Sequence, residues 1–300
     1  MMKPVYLGKM KKNSFRFKVL NFKFIEWAIL AFQFLTIIPV KTKWNVSEKD
    51  IARSSIFFPL VGAFQGIILS ISCLVLNLFF SSSLTSGIVI LIYVLLNGGF
   101  HLDGLSDTCD ALSVKSTGNT DYDRERRLAV MKDSSTGAIG ATAICLAILL
   151  KYLFIKELFL SGRQFNPYFI LFLMPVFSKW AIVLSMQLSK NARPDGLGSI
   201  FIQYSTKMNL FYSTFLTIFL SFFSYLLFLM LSSPLSDSPA DSHASALLFF
   251  CIVVMAIFYV ICQLLVRWFT KKFAGLTGDN FGAIHEASEF IFLFIILLWK

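Results

Sequence analysis

Residues 87–112 read "GIVILIYVLLNGGFHLDGLSDTCDAL". The first half is apolar and uncharged, while the second places Asp103, Asp107 and Asp110 within eight positions. A helix immersed in lipid tolerates the first half and not the second, because a charge in hydrocarbon is costly. The stretch therefore marks a junction where a membrane-embedded segment meets an aqueous face.

The rest of the chain follows the first half. Of 300 residues, 56% are hydrophobic and 34 are phenylalanine, more than one soluble core of this length needs. Apolar runs lie at about 56–80, 84–100, 138–160, 167–188, 208–231, 246–268 and 287–299, several near the ~20 residues that cross a bilayer. They are continuous rather than alternating, so the spans are helices and not barrel strands. The expected fold is all-α: a polytopic integral membrane bundle of about six or seven transmembrane helices. An earlier segment, "FIEWAILAFQFLTIIPV" at 24–40, is short, contains Glu26 and Gln33, and is basic on both flanks. It is expected to be an interfacial or re-entrant helix. Residues 1–23 form a separate basic extension, leaving 24–300 as one membrane domain.

Charge orients the spans. The first 23 residues hold seven Lys/Arg and no acid, as a cytoplasmic tail on anionic lipid would. The tail has few aromatics and no nucleic-acid module, so no nucleic-acid partner is expected. With that tail inside, the inner loops 101–137, 189–207 and 267–286 carry five, three and three Lys/Arg. The outer loops 81–83, 156–166 and 232–245 carry none, two and none, which obeys the positive-inside rule. "SSPLSDSPADSHASA" reads as a flexible outer loop. The first apolar run ends without a small-residue cleavage site, so no cleavable leader is expected. Five cysteines without a CxxC pair give neither a disulfide framework nor a zinc site.

Asp103, Asp107 and Asp110 are spaced i, i+4, i+7 and fall within about 60° of one another on a helix. Gly104, Ser106 and Ala111 beside them are small and leave room. Three like charges on one stripe repel unless a cation joins them, and an oxygen-only donor set suits magnesium. Magnesium held by few carboxylates usually also holds substrate phosphates, which points to phosphoryl transfer at the membrane face. A solvated acidic loop and a cation-translocation site are the alternative readings.

Other polar motifs precede later spans on the same side. In "RERRLAVMKDSSTGAIGA", residues 124–141, Asp133, Ser134 and Ser135 are expected to cap the following helix, whose N–H groups would favour an anion. Lys132 supplies charge, while Arg124, Arg126 and Arg127 read as membrane anchors. Lys179 in "FSKWAIVL" lies within an apolar span and is a functional candidate, with snorkelling the alternative. Lys151 is a similar case nearer the outer end. "FAGLTGDNFGAIHEASE", residues 273–289, offers Gly275, Gly278 and Gly282 for close approach of a ligand and Asp279 as a further carboxylate. Glu286 and Glu289 are expected to line the same cavity. His101 either holds a phosphate, acts as an acid or base, or is a plain interfacial histidine.

Together, "FLTIIPV", "GGFHLDGLSDTCDAL", "RERRLAVMKDSSTGAIGA", "SKWAIV" and "AGLTGDNFGA" resemble the cobalamin 5'-phosphate synthase family, in its order and across residues 34–283. Ile37 stands where that family often carries a basic residue, and Lys179 where Arg is commoner. The resemblance implies a multi-pass enzyme of a bacterial or archaeal cytoplasmic membrane with its active site facing the cytoplasm. It would join adenosylcobinamide-GDP to α-ribazole or its 5'-phosphate, release GMP and require Mg²⁺. On that reading Asp103, Asp107 and Asp110 bind the metal with Asp133 or Asp279, and Asp107 or Asp110 is the general base. Lys132 and His101 stabilise phosphoryl oxygens, and Ser134, Lys179, Gly275, Thr277 and Gly278 contact substrate. Membrane lipids are further partners; a homo-oligomer, or association with other cobalamin-assembly enzymes, stays open. The rival enzyme class joins a nucleotide-activated headgroup to a lipid alcohol, and a cation-coupled transporter is a third reading.

Overall fold

The computed structural model describes residues 23–40, 44–160, 166–232 and 240–298, with backbone alone at 228–232 and 240–250. The basic extension before residue 23 and the centre of the Ser/Pro-rich connection, 233–239, lie outside the described residues. Helix α1 covers 23–35. It is followed by α2 (Glu48–Ser54), a 3-10 turn (Ser55–Phe57), α3 (Phe58–Leu76), α4 (Ser82–Asn97), α5 (Phe100–Ser113) and α6 (Thr120–Val130). The chain continues as α7 (Ala138–Leu160), α8 (Pro167–Leu188), α9 (Leu197–Tyr204), α10 (Lys207–Ser232), α11 (Ala240–Phe273) and α12 (Gly278–Leu298).

Among the described residues six helical segments are long and apolar enough to cross a membrane: Glu48–Leu76, Ala138–Leu160, Pro167–Leu188, Lys207–Leu227, Cys251–Phe273 and Gly278–Leu298. The pair α4 and α5 makes a seventh if taken as one span, bent by 87°. This is the expected six-to-seven-helix bundle. The described part of helix α1, residues 23–35, is shorter than a membrane span.

Helix α8 is the central post, 94% buried over its apolar window, whereas α7 and α10 are 22% buried and face outward. Helix α3 reaches α8 through Gly62 and Gly66: a Cβ on either would lie 2.4 Å from the carbonyl oxygen of Pro175 or Phe172. This is the small-xxx-small device by which helix backbones approach closely in lipid. On α10 the exposed Phe211, Phe215, Phe219 and Phe223 recur every fourth residue, one lipid-facing stripe.

Three local outcomes differ from the sequence reading. The apolar run expected to 100 stops at Asn97, because Gly98 and Gly99 adopt positive φ (62° and 71°) and turn the chain into α5. The loops expected at 101–137 and 189–207 contain α5 and α6, and α9. Helix α12 begins at Gly278, not near 287, so the Gly-rich loop is mostly helix. Asn280 explains the early start: its Oδ1 accepts the N–H of Thr277 at 3.0 Å, fixing the first turn.

The connections at one end of the bundle are fastened together. Leu276 N–H donates to Lys190 O (2.8 Å), and Ala192 N–H donates to Leu276 O (3.1 Å). Arg193 donates to Leu128 O at 2.9 Å and Arg124 to Ala192 O at 3.4 Å. Helix α6, the α8–α9 link and the α11–α12 link thus form one polar cap over the end that carries α5.

Candidate functional site

Helix α5 lies along α12 and ends against α7. A Cβ at Gly104 would sit 2.7 Å from Asp279 O, so the glycine lets the start of α12 lie directly on α5. Asn280 in the first turn of α12 donates to Thr108 Oγ1 at 3.2 Å. The second half of α5 is therefore level with the ends of the spans, at the bundle's polar end. Asp103 is exposed there, and Asp107 and Asp279 are half-buried.

The third member of the stripe is engaged differently. Asp110 is buried, and its carboxylate accepts the N–H groups of Gly137 (2.7 Å) and Gly140 (2.8 Å) at the start of α7. A Cβ at Gly137 would come within 2.5 Å of that carboxylate, and one at Gly140 within 2.3 Å. The "TGAIGA" glycines thus admit a carboxylate from another helix. This corrects the expected cap. Asp133 accepts from Ser135 two residues on, its N–H at 3.0 Å, and the anion at the N-terminus of α7 is Asp110 itself.

Two carboxyls of the group are raised, Asp279 chiefly by burial and Asp107 the more clearly. Burial, together with Asp103, Asp279 and Asp110, pushes it up to about 6, against the lowering pull of Arg193. The physical cause is the one the spacing implied: acids share a small volume with one facing cation. Among the described residues these carboxylates do not close to within 4.8 Å of one another; the three-residue group that does is His285, Glu286 and Glu289.

Two depressions flank the stripe. On one side a cavity of ≈ 220 Å³ has an apolar wall including Phe34, Phe100, Met186 and Phe201. His101, Arg193, Thr277, Gly278 and Asp279 also line it. His101 is 3% exposed and neither ring nitrogen has a hydrogen-bond partner; Arg193 Nε is likewise unpartnered. On the other side a more open groove of ≈ 330 Å³ is lined by Asp110, Asp133, Ser135, Thr136 and Gly137.

The remaining candidates disperse. Lys132 is exposed and ion-paired with Asp195 at 3.6 Å, on the rim. Ser134 is exposed. Gly275 faces the backbone of Lys190, Asn191 and Ala192, so the close approach it permits is between two parts of this chain. Lys179 is fully buried and does not line either depression. It sits 2.7 Å from His285 Nε2 and 3.3 Å from Asn97 Oδ1. Glu286 and Glu289 do not line the cavity either. Both meet Lys151, Glu286 at 2.6 Å, and Glu289 also accepts from Tyr93. The outcome for Lys151 is a buried ion pair rather than an outer-end charge.

Sequence reasoning missed Arg193 and His285. Arg193 stands in a loop rich in ordinary polar residues, with no spacing to mark it. His285 follows "FGAI" in a segment read as loop; helical phasing of α12 would have put it on the face of Glu289, one turn away. Among the described residues no cysteine is paired, as expected.

Fold and site together define an all-helical, multi-pass membrane protein with a carboxylate-rich site at one end of its bundle. Residues 28–297 match the family described as Cobalamin-5-phosphate synthase. The chain belongs to that family and is a transferase of cobalamin synthesis. It is 36% identical over 270 residues to the adenosylcobinamide-GDP ribazoletransferase of Thermodesulfovibrio yellowstonii, covering 90% of this chain and 95% of that one. The proteins of the same name from Geotalea daltonii and Caldanaerobacter subterraneus subsp. tengcongensis are 33% and 30% identical. They cover 89% and 90% of this chain and 95% and 97% of their own lengths. No solved structure matches the chain.

Proposed function

We propose that this chain transfers the phosphocobinamide group of adenosylcobinamide-GDP to α-ribazole or its 5'-phosphate, releasing GMP. The observation that carries the reading is the meeting of α5 and α12: His101 and Asp279 line one depression, Asp110 lines the other, and Asp103 and Asp107 stand between His101 and Asp110 along α5, with Asp279 laid over Gly104. A reaction joining two large substrates through one phosphorus needs that arrangement. A ribose hydroxyl attacks the phosphorus bonded to cobinamide, its proton passes to a carboxylate, and the bond to the GMP oxygen breaks. Asp110 has both oxygens committed to α7, which leaves Asp107 as the proton acceptor. Arg193 and His101 line the cavity, each with buried nitrogen that has no partner, and stabilise phosphoryl oxygens. Lys132 stands at the rim, where it draws the anionic donor inward.

Magnesium suits these residues. The donor set is carboxylate oxygen, with three acids and Arg193 as their near cation. Asp103, Asp107 and Asp279 would hold the ion. When bound it would neutralise the diphosphate and the departing phosphate of GMP. The excess of Lys/Arg in the loops of this end favours the cytoplasmic face.

The test is purified protein in lipid, supplied with adenosylcobinamide-GDP, α-ribazole and Mg²⁺. Cobalamin product and GMP should appear together and stop on chelation. A folded protein that forms neither would refute the reading. Substrate flux without GMP release would favour a transporter, and transfer to a lipid alcohol the headgroup transferases.

A further inference from the structure

Deep in the bundle, charges from several helices meet without reaching either depression. Lys151 of α7 joins Glu286 and Glu289 of α12, and Lys179 of α8 joins His285 of α12. All five are essentially buried. Ionisable side chains in such a place are costly to keep, and the transfer reaction as derived above uses none of them. One contact links them to the site: the ring of His285 stacks on that of His101, with centroids 3.8 Å apart and planes 25° from parallel.

His285 is held firmly. Its Nε2 lies 2.7 Å from Lys179 Nζ and 3.1 Å from Ser178 Oγ, with Glu289 Oε1 at 3.4 Å as a neighbouring charge rather than a bond, while its Nδ1 has no hydrogen-bond partner. An ammonium has only donors, so Nε2 accepts from Lys179 and the ring plane is set by α8. Glu289 is fixed in turn by Lys151 and Tyr93. His101 is the opposite case, with two nitrogens free and no hydrogen bond to orient it. Its ring is bounded by His285 on one face and by Phe100 edge-on at 5.7 Å. A cavity-lining imidazole without hydrogen bonds keeps one orientation only if packing imposes it.

We propose that His285 is a positioning residue: locked by Lys179 and Ser178, its ring stacks against His101 and holds that imidazole toward the substrate in the cavity. This rests on the assignment of His101 to the substrate site. The buried charges serve to make the stack rigid, so that His101 meets the developing phosphoryl charge without reorganisation. The expected signature is a change in turnover rather than in substrate affinity.

A double-mutant cycle tests this, with kcat and KM measured on wild type, His101→Ala, His285→Gln and the double variant. Gln keeps an acceptor for Lys179 and removes the ring. His285→Gln should lower kcat by about tenfold or more with KM within about twofold, and in the His101→Ala background it should cost less than about twofold. An equal loss in both backgrounds would overturn the proposal, as would full turnover by His101→Ala. His285→Phe restores a ring against His101 and should recover most of the kcat lost in His285→Gln; no recovery in a folded protein also overturns it. It further covers the case in which the Gln variant does not fold. Failure of the wild type to form product would count against the transfer reaction, a result separate from any pattern among the variants.

Discussion

In the bundle interior Lys151 meets both Glu286 and Glu289, and Lys179 is answered by His285 and Asn97. At the bundle end Asp103, Asp107 and Asp279 face one another with Arg193 as their near cation. Both clusters place acids on helices beside apolar sequence. They differ in whether the protein itself balances the charge. The interior cluster must be neutral as built, because nothing from outside reaches it and an unpaired buried charge is severely penalised. The end cluster is open to water and is left in deficit, which is the condition for a site that recruits a cation and phosphates. A balanced cluster serves rigidity; an unbalanced one serves chemistry.

That contrast fails or holds on substitution. Asp107→Asn should lower turnover by about 10⁴-fold, the upper range for loss of a general base. The thermal unfolding temperature in detergent should stay within about 2 °C, since no protein partner is lost. A variant that unfolds instead would place Asp107 among the structural acids. Lys151→Met should do the reverse. It strands two carboxylates in the interior and should cost about 3–5 kcal/mol of stability, the range for breaking a buried pair. Adding Glu286→Gln and Glu289→Gln should recover most of that loss, because the penalty is charge and not shape. Unfolding curves of the single and triple variants decide the point.

Asp110→Asn tests the boundary between the two behaviours. The residue belongs to the α5 stripe by spacing but to the structural group by contact. An amide accepts with one atom only, so one of the two α7 N–H groups loses its partner. The expected cost is about 1–2 kcal/mol, the scale of a helix cap, read as a lowered unfolding temperature. Turnover per folded molecule should fall far less than in Asp107→Asn. Equal catalytic loss in the two would return Asp110 to the metal site.

These residues also show what the sequence could disclose. Membrane class, span count and the common face of Asp103, Asp107 and Asp110 follow from composition and a 3.6-residue period, both local properties. The division of labour along that face does not. Asp110 is claimed by glycines 27 and 30 positions away, through an approach visible only when α5 and α7 are packed. Lys151 and Glu286 meet across 135 positions, and nothing in either neighbourhood names the other. The start of α12 was hidden because "GLTGDNFGA" has the composition of a loop, whereas Gly282 is a space for α5 and Gly275 one for the α8–α9 link. His285 was legible in part: a helix reaching back to Gly278 would have put it beside Glu289.

The smallest expected effect concerns protons. Asp107 is raised from the ordinary carboxylate range to about 6, so in the metal-free protein it still carries its proton in mildly acidic solution. The folded chain then binds more protons than the unfolded one between about pH 4 and pH 6, and this group's contribution to stability falls as pH rises through that window. A divalent cation reverses the preference by favouring the ionised form. Magnesium uptake near pH 5.5 should therefore release protons, and uptake near pH 8 should release none. Calorimetric titration in two buffers of different ionisation heat measures the difference. Apparent affinity should weaken by up to about tenfold per unit of pH below 6, as one displaced proton requires. Asp107→Asn should abolish both the proton release and this pH trend, while Glu286→Gln, whose partner is Lys151, should leave them unchanged. If proton release persists without Asp107, the cation is held elsewhere and the end cluster is not in deficit for the reason given.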